Sequence, residues 1–176
     1  MKRRLSLAAV FAALAALVLS LGAGVKNDSG SIVDRFFAAY RSGSVDDLLA
    51  VYAPDAVFED VNQRHRVVGH DELRAMLQDL VAMHQQMGIR EKRRVAEDRT
   101  VVVEYEYVGT LSGAALSQAT GKSGCPDLSY TLPVTSWYDI AGGRIRVQKD
   151  FIDLASLREL QKRAAASAAP DASHLQ

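Results

Sequence analysis

The sequence predicts an α+β fold: a cone of amphipathic helices packed on a strongly curved, mostly antiparallel sheet. Three observations carry that expectation. Apolar residues recur at spacings of three and four through the first part of the folded region. They alternate with polar residues through the second half. The helical patterns also precede the strand run instead of interleaving with it, which is the order of an α+β protein. A twisted sheet curling around helices leaves a cone open at one end, a natural small-molecule pocket.

Ile32, Val33, Phe36, Phe37 and Tyr40 give the first helix one apolar face, and Ser42-Gly43 stops it. Ser44 caps a second helix, with Asp47 three positions on and Val45, Leu48, Leu49 and Tyr52 as its buried face. Pro54-Asp55 ends that helix, Ala56 to Glu59 reads as a short strand, Val61 to Arg66 as a polar turn and Val67-Val68 as a return strand. Gly69-His70-Asp71-Glu72 opens a third helix with its acids in the first turn, where the dipole favours them. Leu73, Leu77, Leu80 and Val81 carry its apolar stripe, and Gly88 is its expected stop.

Ile89 to Ala96 reads as a strand with a basic, solvent-facing middle (Arg90, Lys92, Arg93, Arg94). From Thr100 to Val108, Val103, Tyr105 and Tyr107 alternate with Glu104 and Glu106, the pattern of a half-buried strand. Gly109 to Ser129 is rich in Gly, Ala, Ser and Thr and reads as a long loop or hairpin tip. Tyr130–Ile140 and Arg144–Ile152 pair through an Ala141-Gly142-Gly143 turn, and Leu154 to Ala166 forms a closing helix. Residues 167–176 are expected to fray.

A chain of 176 residues fits one domain, here 30–166, with a core large enough to need no disulfide or metal. Before it, Lys2-Arg3-Arg4 and the apolar stretch Leu5–Leu21 form an export signal (1–24), either cleaved or kept as a membrane anchor. The expected location is therefore periplasmic or secreted, with any membrane contact made through that segment alone. Removing the three basic residues leaves 18 basic against 21 acidic residues, a balance with no electrostatic footprint for nucleic acid. One cysteine and four scattered histidines give no zinc-ligand spacing. Cys125 has no His near it in sequence and reads as a loop thiol, not a nucleophile.

Three ordered patterns then point to a family: Phe36–Leu48 followed by Tyr52–Asp60, Gly69–Leu73 at a helix start, and Gly143-Arg144-Ile145 running to Asp150–Leu154. Together they make the chain resemble, over about Ile32 to Leu160, the SnoaL-like branch of the nuclear-transport-factor-2 superfamily, which includes ketosteroid isomerase, limonene epoxide hydrolase and polyketide cyclases. The resemblance implies a homodimer, a small mostly apolar ligand bearing a carbonyl or hydroxyl, and proton-transfer chemistry with no cofactor or metal. The competing class is a non-catalytic binding or assembly domain, because one fold hosts many functions.

Under that resemblance Asp60 takes the place of the general base, its pKa raised by an apolar cone. Otherwise it caps the Val61-Asn62-Gln63 turn. Asp150 takes the place of a catalytic aspartate of the epoxide hydrolases, although Tyr105 and Tyr107 stand where the other members of their Asp–Arg–Asp set belong. Phe36 and Thr135 fall where the isomerase places its oxyanion donors, which excludes steroid isomerisation by that route. Phe36, Tyr40, Phe58, Tyr105, Thr135 and Trp137 are the expected pocket residues; the aromatics among them are equally suited to plain core packing. On the last strand Arg146, Gln148 and Asp150 are expected to share a polar face. His84 matters only if its helix face looks inward.

Overall fold

The computed structural model describes residues 29–121 and 123–167; the expected export segment and residues 168–176 lie outside the described residues. The first two helices are α1 (Ser29–Ser42) and α2 (Val45–Val51). Ser44 caps α2 by accepting a hydrogen bond from the Asp47 N–H at 3.2 Å. Then come β1 (Tyr52–Asp60), β2 (His65–Val68), α3 (Gly69–Ala82), β3 (His84–Glu97) and β4 (Thr100–Leu111). A short helix α4 (Gly113–Thr120), β5 (Leu128–Ala141), β6 (Arg144–Ile152) and α5 (Leu154–Ser167) complete the chain.

The six strands form one curved, unclosed sheet in the order β2-β1-β6-β5-β4-β3. Only β1 and β6 run parallel; the other neighbours are antiparallel. That parallel pair sets Asp60 directly beside Asp150. Helix α1 packs on β3 and β4, and α3 packs on β1. Phe36 is the hub of the core, with the rings of Phe37, Tyr40, Tyr52 and Tyr138 all centred 5.8–6.3 Å from its own. Arg94 ties β3 to α1, pairing with Asp34 at 2.8 Å while its guanidinium lies 5.7 Å over the Phe37 ring.

The elements depart from the sequence expectations at four places, three of them where sheet pairing overrides local pattern. Tyr52 does not close α2; it begins β1, paired with Ile145. Helix α3 stops at Ala82 instead of Gly88, because β3 pairs with β4 all the way from Glu97 back to His84. Gly88 lies inside that strand, where a Cβ would stand 3.0 Å from a Val108 methyl. The expected loop 109–129 holds the end of β4, all of α4 and the start of β5, and buries Cys125 with Leu111, Leu116 and Leu128. Finally, β6 carries an extra residue at Arg146, between Ile145 paired with Ile140 and Val147 paired with Asp139. This shifts the strand's phase, so Ile145, Gln148 and Asp150 are buried while Arg146 is exposed and pairs with Asp55 at 2.7 Å. Arg146 thus does not share a face with Gln148 and Asp150.

Gly113 shows how tightly the α4 segment is held. A Cβ there would lie 2.1 Å from the Cys125 carbonyl oxygen, a backbone atom that cannot move alone. The Gly113 N–H also bonds the Asp127 carboxylate at 2.8 Å. Gly113→Ala is expected to cost about 1–3 kcal/mol or more through overpacking, read as a lowered thermal midpoint. An unchanged midpoint would contradict this packing.

Candidate functional site

The concave face of the sheet, α1, α3 and α5 enclose a cavity of about 500 Å³. Most of its wall is apolar, with Phe36, Phe58, Leu77, Leu80, Leu132 and Leu157 contributing. Two groups of polar side chains interrupt it.

The first group centres on Asp150, which is 2% exposed and comes from β6. Ser136 Oγ donates to Asp150 Oδ1 at 2.5 Å, and Gln148 Nε2 donates to the same oxygen at 2.8 Å. The Tyr107 hydroxyl donates to Oδ2 at 3.3 Å. Tyr105 donates to Tyr107 at 2.9 Å and lies 2.7 Å from Ser136 Oγ, closing a ring of four side chains. The Tyr52 hydroxyl donates to Gln148 Oε1, which turns the amide so that Nε2 faces Asp150. Each element contributes through the period of two along a strand: Tyr105 and Tyr107 on β4, Gln148 and Asp150 on β6.

Counting hydrogens shows what this ring needs. An ionised Asp150 leaves three hydroxyl hydrogens for four contacts, so the Ser136–Tyr105 contact lacks one. A protonated Asp150 supplies the fourth and lets Ser136 donate to Tyr105 instead. Burial, the largest effect, raises the Asp150 pKa to about 6, helped by the neighbouring Asp60 charge and opposed by the bonds from Ser136, Gln148 and Tyr107. No cation is among these partners. Burial also holds Tyr52, Tyr105 and Tyr107 well above the usual phenol range, so all three stay protonated donors.

The second group is His84, Tyr130 and Tyr40, all lining the same cavity. His84 Nδ1 lies 2.6 Å from the Leu80 carbonyl oxygen, which can only accept, so Nδ1 carries a proton. Its Nε2 lies 2.9 Å from the Tyr130 hydroxyl. Burial lowers the His84 pKa, against the Leu80 bond that raises it. Tyr130 has room because Gly109 faces it: a Cβ there would be 3.1 Å from the phenol. The Tyr40 ring stacks on Tyr107 at 4.8 Å, joining the two polar groups along one wall.

Among the residues expected from sequence, Asp150, Phe36, Tyr40 and Phe58 line the cavity. Tyr105 is buried one layer behind it, in the ring that holds Asp150. Thr135 and Trp137 lie on the opposite face of the sheet, and Trp137 is 50% exposed. On β5 the even-numbered residues from Leu132 to Ile140 are buried, so Ser136 takes the inward place that Thr135 was expected to hold. Asp60 is buried beside Asp150, but both its oxygens serve Gln63, accepting from its N–H at 3.0 Å and its amide at 2.5 Å. Gln63, not Asp60, lines the cavity.

Tyr52, Gln148 and Tyr130 were missed as site residues. The signal for Gln148 was its spacing of two from Asp150; Tyr130 gave none, being the first aromatic after a segment read as loop. Among the described residues no helix is long and apolar enough to cross a membrane, and no three acidic, His or Cys side chains gather as a metal site.

Helices packed on a curved, mostly antiparallel sheet around an apolar cavity define an α+β protein of the cone class. Residues 33–148 match the SnoaL-like domain model, and the chain belongs to that family. Solved structures agree on the fold. A protein from Shewanella denitrificans OS-217 described as a SnoaL-like polyketide cyclase is 16% identical over 76% of this chain and 96% of its own, with TM-score 0.66. An LEH-like epoxide hydrolase of M. tuberculosis is 18% identical over 81% and 95%, with TM-score 0.61. A protein with a ketosteroid isomerase-like fold from Catenulispora acidiphila DSM 44928, in complex with trimethylamine, is 17% identical over 82% and 97%, with TM-score 0.59. No curated protein matches the sequence.

Proposed function

We propose that the cavity binds a small, mostly apolar molecule bearing a carbonyl or hydroxyl, and that Asp150 transfers a proton on it without a cofactor. The observation that carries this reading is the Asp150 carboxyl at the wall of an apolar cavity, its pKa raised to about 6. Such a group is mostly ionised at neutral pH yet close enough to its pKa to return the proton, which is where general acid–base catalysis is most efficient. The ionised carboxylate takes a proton from carbon next to the ligand carbonyl. The C–H electron pair moves into the conjugated system, and return of the proton elsewhere gives isomerisation, or sets up cyclisation, dehydration or hydrolysis. The Asp60 charge, held in place by Gln63, adds a smaller effect to the burial that raises the Asp150 pKa. The test is deuterium exchange next to the carbonyl of small ketones that raise the protein's melting temperature. A screen in which compounds bind but none exchanges would leave a binding domain.

A second, non-catalytic reading is favoured by the outer sheet face, where Trp137, Val95 and Phe151 are 50%, 55% and 41% exposed. We propose that this face meets a second copy in a homodimer of an exported protein. Sedimentation should give twice the chain mass, with Trp137→Glu reverting it to one; a monomeric wild type would remove the proposal. Export is tested by whether the mature protein outside the cytoplasm lacks residues 1–24.

A further inference from the structure

The Asp150 chemistry leaves the second polar group of the cavity without a task. The geometry points to His84 and Tyr130 as a short proton-conducting chain that accepts a proton from a hydroxyl, phenol or enol on the ligand. The substrate class narrows accordingly to molecules with two oxygen functions, one addressed by Asp150 and one by this chain. The inference rests on the cavity being the ligand site.

Direction along the chain follows from its fixed end. Nδ1 must donate to the Leu80 carbonyl, so a neutral His84 has Nε2 free only to accept. Tyr130 therefore donates to Nε2 across 2.9 Å. The cavity end of the chain is then the Tyr130 oxygen with its lone pairs, an acceptor that calls for a donor on the ligand. When the ligand O–H gives its proton to Tyr130, Tyr130 passes its own to Nε2. One ligand O–H bond breaks, one Nε2–H bond forms, and Tyr130 ends neutral. Protonated His84 reverses both bonds, so the Tyr130 hydroxyl then donates toward the ligand and can return the proton.

The surroundings suit a neutral resting imidazole. Leu80 on α3 offers only its carbonyl, Leu111 on β4 is apolar and Tyr130 on β5 is a phenol. On adjoining elements Asp127 is committed to Gln85 Nε2 and the Gly113 N–H, and Arg163 of α5 to the Ser129 carbonyl. Burial of the ring lowers its pKa, against the Leu80 bond that raises it. Tyr40 lines the cavity with Tyr130 and stacks on Tyr107, the partner of Asp150, so one small molecule in the cavity meets both groups.

The experiment uses para-nitrophenol as the probe, its phenolate absorbance read when bound to wild type, Tyr130→Phe, His84→Gln and Asp150→Asn at neutral pH. The expected result is a bound probe about one pKa unit more acidic in wild type and Asp150→Asn than in Tyr130→Phe and His84→Gln, a tenfold change in the ionised ratio. Tyr130→Phe keeps the ring and the fold while cutting the chain, so it decides the matter even if His84→Gln is unstable. Equal ionisation in wild type and Tyr130→Phe overturns the inference. Loss in Asp150→Asn alone overturns it too, by showing that the carboxylate takes the proton, and leaves the Asp150 reading standing. Failure of the probe to bind wild type overturns the inference together with the cavity reading.

Discussion

Replacing Asp150 with Asn should slow proton exchange next to a bound ligand's carbonyl by about 10²–10⁴-fold, the usual contribution of a positioned acid–base group. The same change should alter stability in a way that sets it apart from simple damage. Raising a buried carboxyl from 3.8 to about 6 corresponds to about 3 kcal/mol. For an acid whose native pKa is raised, the native state holds the proton more tightly than the unfolded chain does. Stability from this group is therefore full below about pH 4 and is lost as pH rises to about 6, beyond which it is flat. The wild type should lose stability across that window, and Asp150→Asn should not. Chemical denaturation at several pH values reads the difference. A variant that is inactive and also keeps the wild-type pH slope would show that another group titrates there.

Filling the cavity should have the second large effect. Leu80 is half-buried on α3 and lines the cavity, one turn from the core residue Leu77. Leu80→Trp adds bulk into the space that a ligand would occupy. A ligand at 100 times its dissociation constant stabilises the wild type by about 2.7 kcal/mol, and the variant should show almost none of that thermal shift. Overpacking costs of about 1–3 kcal/mol are expected in the variant without ligand, so the comparison is the shift and not the midpoint itself. A shift equal to the wild type's would place the ligand elsewhere.

The fold was legible because its signals are local. Phe36, Phe37 and Tyr40 at helical spacing, and Tyr105 and Tyr107 alternating with glutamates, report periodicities that the final packing keeps. The site was legible only in part, because it depends on phase. Asp150, Phe36, Tyr40 and Phe58 line the cavity, whereas Thr135 and Trp137 were placed inward by a reading one residue out of step on β5. In a strand that error exchanges the two faces, and it hid Ser136, whose hydroxyl donates to Asp150. The extra residue at Arg146 is a similar case: no local pattern marks where a strand gains a residue, since the register is set by its neighbours. Tyr52 was missed, and His84 was assigned to a helix, for a further reason. Both sit where helical periodicity runs on past the point at which β1 and β3 take over the backbone hydrogen bonds.

Asp60 shows the limit of reasoning from position alone. Its place at the end of β1 brings it beside Asp150 through the parallel pairing of β1 with β6. What its side chain does there is set by Gln63, three residues on, whose backbone and amide both bond it. Asp60→Asn should therefore affect the turn more than the chemistry, in contrast to Asp150→Asn.

The central claim is that the cavity wall carries a carboxyl poised to exchange its proton near neutral pH. Carbon-13 NMR of labelled aspartate side chains, with Asp150→Asn to assign the resonance, measures this directly. The Asp150 carboxyl carbon should titrate with a midpoint near pH 6 in the folded protein. A midpoint at or below the ordinary aspartate value of about 3.9 would mean that the hydrogen bonds outweigh burial. Asp150 would then be a fixed charge, and the proton-transfer reading would be wrong.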